Sequence, residues 1–140
     1  MPTFLKVSSD DIGKLMIRIA VGGLMLFHGF FKIVHGVEWI KGPLGALGLP
    51  EFLAYGVYVA EIIAPVLIIL GLKTRLSALV IVLDMVMAIV LVLKPSVFAV
   101  KQAGGGWGIE LEMFFILASL ALVFFGAGKY SVSNSHGMWD

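Results

Sequence analysis

The chain has 140 residues, 60% of them hydrophobic and only 14% charged, with a formal net charge of +1 and no cysteine. Soluble domains carry about 45–50% apolar and roughly 25% charged residues, so this excess of apolar mass marks an integral membrane protein. The near-neutral balance offers nothing to nucleic acid, and the lack of cysteine excludes disulfides, thiol relays, thiolate zinc sites and cysteine-held iron–sulfur clusters.

The N-terminal stretch MPTFLKVSSDDIGK is polar and carries two acids. It lacks the positive start and small-residue cleavage site of a signal peptide, so the first apolar run is expected to be retained. Four runs have the roughly 20 mostly apolar residues that a bilayer core requires. They cover about 12–34, 52–72, 76–93 and 109–127. In lipid each must be a helix, because no water is present to satisfy an exposed backbone. The sequence therefore predicts an all-α, integral membrane, antiparallel four-helix bundle forming one domain over residues 1–140.

Along the first helix, Arg18, Gly22, Met25, Gly29 and Lys32 fall on one stripe, with His28 at its edge. Glycines on such a stripe permit close helix contact. The next connection, HGVEWIKGPLGALGLPE, reads as a Gly- and Pro-rich loop with an interfacial Trp39. The second helix carries Gly56, Ala60 and Ala64 as a row of small residues beside Glu61. Four residues on, Pro65 removes the N–H that the Glu61 carbonyl would accept, so a kink and an acid coincide.

The short turn GLKTRLS makes the second and third helices neighbours, with Gly71 as a left-handed stop and Thr74 as a cap. Asp84 then lies in the third helix at the depth of Glu61. The last long connection ends in GGGWG, which lacks the Lys-Ser/Thr of a phosphate loop and reads as a flexible lead into the fourth helix. Trp107 there suits an aromatic belt. Glu110 and Glu112 open the fourth helix, where acids favour the helix dipole.

Charges inside a bilayer are costly, usually face the interior, and mark function. Cations come from the first helix and acids from the other three. Arg18 can reach Glu61 or Asp84, His28 shares a level with Glu112, and Lys32 with Glu110. Two readings stand for each: ion pairs that fix register, or groups that bind a ligand and relay protons. Lys32 also suits a snorkelling anchor. A haem is excluded by geometry, because His28 and His35 lie on one helix and His136 in the tail. No metal-ligand set stands out. The positive-inside rule places both termini in the cytoplasm.

The segment LMIRIAVGGLMLFHGFFKIVHG resembles the first helix of DoxX-type membrane proteins, with its Arg, its Gly and its His-Gly-x-x-Lys ending. The run from Leu47 to Leu79, with Glu61 and Gly-Leu-x-Thr-Arg at Gly71, Leu72, Thr74 and Arg75, resembles that family's second helix and turn. GAGKYSV is similar to its closing Gly-x-Gly motif. The resemblance implies a four-helix protein of the bacterial inner membrane, related to DoxD-like proteins linked to thiosulfate:quinone oxidoreductase. It implies a membrane subunit of a redox system, in which a bound quinone or a partner protein supplies the electron chemistry.

On that reading Arg18, His28, Lys32, Glu61, Asp84 and Glu112 bind a quinone-like or small anionic group and relay its protons, and the chain meets lipid, a redox partner or a second copy of itself. Two alternatives stay open. One is a small transporter or channel passing a proton, ion or metabolite by Glu61 and Asp84. The other is an anchor or assembly factor with no chemistry of its own.

Overall fold

The computed structural model describes residues 8–140, and every regular element among them is helical. We number five helices: α1 (Ser9–His35), α2 (Glu38–Ala46), α3 (Glu51–Leu70), α4 (Thr74–Ser96) and α5 (Glu110–Phe125). Three of them, α1, α3 and α4, are long and apolar enough to cross a membrane. Helix α5 has 16 residues, which at a rise of about 1.5 Å gives roughly 24 Å, short of a ~30 Å hydrocarbon core.

One core joins the four longer helices. Val21 and Met25 of α1, Ala64 and Ile68 of α3, Ile81 and Met85 of α4, and Phe115 and Leu122 of α5 are all buried in it. The outward faces stay apolar: Phe27, Phe30, Leu83, Phe114 and Phe124 are exposed, as lipid-facing side chains are.

Of the stripe read on α1, Arg18, Gly22, Met25 and Gly29 are buried, with Val21 beside them, and Lys32 is partly buried. It packs on α3 so closely that a Cβ at Gly22 would sit 2.6 Å from Ile69 Cγ1 and 2.8 Å from the Pro65 carbonyl oxygen. At Gly29 a Cβ would overlap the Glu61 carbonyl. The carbonyl that Pro65 leaves without an N–H therefore points at α1. Around it the helix widens into a π-turn over Val59–Ile63. A second π-turn occupies Ile89–Leu93 in α4.

Three expectations need correction. The Gly- and Pro-rich stretch after α1 is not all loop, because Glu38–Ala46 forms α2, which buries Ile40 and Leu44 against Val37 and Ala54. Its Lys41 pairs with Glu38 at 2.8 Å and lies 5.2 Å from the centre of the Tyr55 ring. That pair holds the Lys41 ammonium above its ordinary value, Glu38 first and Tyr55 next. Thr74 does not cap α4; it is the first helical residue, buried, and its hydroxyl has no partner. The glycine run before α5 is closed rather than loose. Lys101 N donates to Gly106 O at 2.7 Å and Gly108 N to Ala99 O at 2.8 Å, bridging Val100 to Trp107.

Candidate functional site

The ionisable groups divide between two ends of the molecule. Arg18 lies where α3 turns into α4, and it meets no acid among the described residues. Its Nε donates to Ile68 O at 2.8 Å and Nη2 to Ile69 O at 2.6 Å. Its Nη1 donates to Ala127 O at 2.9 Å and to Tyr130 O at 2.5 Å. This corrects the expected pairing of Arg18 with Glu61 or Asp84. The last four carbonyls of a helix have no partner within it, and they carry the negative end of the dipole. A guanidinium satisfies them at lower cost than a second buried charge would, because no acid has to be desolvated.

The accounting at the end of α3 is complete. Leu67 O accepts from Leu72 N at 2.9 Å and Ile68 O from Gly71 N at 3.1 Å, a Schellman-type stop with Gly71 at φ 72°. Arg18 takes Ile68 O and Ile69 O, and Val132 N donates to Leu70 O at 2.9 Å. Gly71 has to be glycine here, since a Cβ would lie 2.6 Å from Arg18 Nη2.

The other end holds a different arrangement. Lys32, near the end of α1, forms an ion pair with Glu61 in the π-turn of α3. Glu61 is only 2% exposed, so the pair is shielded from solvent on the acid side. Asp84 of α4 faces the same acid and the same lysine. Glu61 Oε2 and Asp84 Oδ2 are buried and have no hydrogen-bond partner among the described residues. Two carboxyls against one ammonium leave one charge in excess. The acid pair can carry one proton, which would both neutralise it and supply the missing donor.

This cluster opens into a cavity of about 200 Å³ lined by His28, Lys32, Trp39, Glu61, Glu112 and Phe115, among others. His28 presents its ring to Phe115 edge-on, with centroids 5.8 Å apart. No hydrogen bond joins it to Glu112 among the described residues, so the expected His28–Glu112 bond is replaced by an aromatic contact. Glu110 pairs with Lys101 at 3.3 Å on the surface, not with Lys32. The two π-turns border the cavity: one carries Glu61, and Val92 and Leu93 of the other line it. Such turns recur at functional sites because the extra residue re-aims side chains.

The structure thus brings Lys32, Glu61 and Asp84 together, places His28 and Glu112 on the same cavity, and leaves Arg18 outside it. Reading the sequence missed Trp39 as a wall of the site. The signal was present: Trp39 sits one residue before Ile40, and Ile40 and Leu44 mark a short amphipathic helix.

Helices that can cross a bilayer, enclosing a buried lysine–carboxylate cluster, define a helical membrane protein with an internal polar site. The chain belongs to the DoxX family, whose model matches residues 13–94. It is similar to a Bacillus subtilis (strain 168) protein named "Putative oxidoreductase CatD", 30% identical over 119 residues, covering 85% of this chain and 83% of that one. It is also similar to an "Uncharacterized membrane protein Rv3486" of Mycobacterium tuberculosis, 31% identical over 130 residues, 86% of this chain and 78% of that one. A Haemophilus influenzae protein is 33% identical over 121 residues, 84% and 86% of the two chains. No solved structure matches the chain.

Proposed function

We propose that the chain is the membrane subunit of a redox system, and that the cavity beside Lys32 and Glu61 binds a quinone-like or small anionic head group and handles its protons. The carrying observation is the Lys32–Glu61 pair with Asp84 beside it, opening into a cavity that also holds His28 and Glu112. The oxidoreductase name of the Bacillus subtilis relative supports the same direction.

The residues present fit such a head group. A quinone ring offers two carbonyl acceptors and a flat face, and it supplies two-electron chemistry when bound. Lys32 and His28 are the donors for those carbonyls, and Trp39 and Phe115 provide walls for the ring. A hydroquinone O–H, or a proton shared with Asp84, would supply the donor that Glu61 Oε2 lacks. The facing carboxyls of Glu61 and Asp84 offer a place for one proton, and Glu112 on the cavity wall offers a further carboxyl for passing it on. Arg18 gives four of its five N–H groups to backbone carbonyls away from the cavity and has no role in this reading.

In this reading α5 completes an antiparallel four-helix bundle within one domain, anchored in the bacterial inner membrane with both termini in the cytoplasm. A redox partner protein supplies or accepts the electrons, and a second copy of the chain is a further candidate neighbour. Titration of the purified protein with a benzoquinone, followed by Trp39 fluorescence, tests the head-group site. Quenching lost in Lys32→Met supports the reading, and no quenching in the wild-type protein rejects it.

The buried acid pair favours one other reading, a proton or small-ion path past Glu61 and Asp84. Flux into liposomes that disappears in Glu61→Gln would establish it. Absence of flux together with quinone binding leaves the redox reading alone.

A further inference from the structure

We infer that the ligand of this cavity is a membrane-dissolved amphiphile whose apolar tail lies in a cleft between α1 and α5. The inference rests on the reading of the cavity as a head-group site and adds where the rest of the molecule goes. A second hollow, of about 140 Å³, lies between the two helices, with Ala20 and Leu24 on one wall and Phe114 and Ala118 on the other. Every side chain that lines it is apolar. Leu111 and Phe115 line both hollows, so the apolar cleft begins where the polar cavity ends.

The direction of the cleft matches a lipid-like molecule. Along α5 it runs from Leu111, next to Glu112, down to Ala118, a rise of about 10 Å over seven residues. Along α1 it starts one turn below His28, at Leu24, and continues past Ala20. A polar head at the Lys32 level therefore has its tail pointing along the helices. Ala20 and Ala118 create the hollow, since larger residues in their places would fill it. The rim is open sideways, with Leu24 57% and Phe114 76% exposed. An apolar hollow left empty loses dispersion contacts on its lining, which a chain lying in it restores. Lys32 and His28, whose nitrogens can donate to a head-group carbonyl, mark the polar upper end.

The test uses the full chain in phosphatidylcholine nanodiscs and two probes, a benzoquinone bearing a decyl tail and the same ring without it. Quenching of Trp39 reports binding, with Trp39→Phe as the control and affinity expressed per mole fraction in the membrane. The tailed ring is expected to bind about tenfold more tightly than the tailless ring, the scale of a modest packing gain between apolar groups in a bilayer. Ala118→Phe should remove that advantage and leave the tailless ring within about twofold of wild type. Ala20→Phe, from the exposed opposite wall, should do the same. Equal binding of both rings by the wild type overturns the inference, as does an equal loss for both rings in the filled variants. So does full retention of the tail's advantage in those variants, which would leave the cleft to a bulk acyl chain or a second copy of the protein. Those results spare the head-group site. No quenching by either ring rejects that site, and the tail assignment falls with it.

Discussion

Arg18 and Lys32 stand on one helix, fourteen residues apart, and the protein uses them in opposite ways. Around Arg18 every hydrogen bond ends on a backbone carbonyl, and the helix end it covers has no carbonyl left over. Around Lys32 the partners are side chains, the acids outnumber the cation, and two carboxylate oxygens lack donors. At the first end the helix carbonyls all have donors, as a structural tie requires. The second keeps bonding capacity in reserve beside a cavity, as a site for a ligand or a proton requires. A buried charge marks function through what it leaves unsatisfied, more than through its presence.

The contrast can be broken by substitution. The largest stability loss should come from Arg18→Met, which strands several buried carbonyls at once. About 3 kcal/mol or more is expected, with a large fall in the melting temperature of the detergent-solubilised protein. Arg18→Lys should recover only part of it, since an ammonium cannot reproduce the fork. If Arg18→Met left stability intact and instead abolished ligand binding, the roles of the two ends would be reversed.

Lys32→Met should act mainly on binding, with at least about a tenfold loss, and should destabilise less than Arg18→Met. Combined with Glu61→Gln it should recover stability, giving a coupling of about 1–3 kcal/mol in a double-mutant cycle. Gly29→Ala drives a Cβ into the Glu61 carbonyl and should cost about 1–3 kcal/mol while misplacing the acid. At Gly56 a Cβ meets nothing within 4 Å, so Gly56→Ala should be neutral or stabilising by up to ~1 kcal/mol. The smallest effect belongs to Glu110→Gln. Its pairing with Lys101 is on the surface and should contribute less than about 0.5 kcal/mol, measured by thermal melting.

The long helices were legible because an apolar run of that length has few other uses, and the contact stripe of α1 because its glycines fall at helical spacing. Gly71 was legible as a left-handed stop. The partners of Arg18 were not, because a sequence displays side chains and those partners are carbonyls. Matching cations to acids by depth therefore assigned Arg18 a role that Lys32 fills. Helix α2 was hidden by Gly42, Pro43 and Gly45, which read as loop residues. Pro43 is tolerated inside so short a helix because few internal bonds are lost. The orphaned oxygens of Glu61 and Asp84 are a property of packing, and no residue pattern announces them.

The arginine's partners also impose an order on assembly. Ala127 and Tyr130 lie 109 and 112 residues downstream of Arg18. At a synthesis rate of about 5–20 residues per second, the first helix waits several seconds before the segment that receives its guanidinium exists. Until the tail arrives, the guanidinium can hold only Ile68 O and Ile69 O of α3, and its Nη1 lacks both of its partners. Ala127 and Tyr130 complete that set of bonds last, so α1 is tied to the chain beyond α5 only after every other helix has been made.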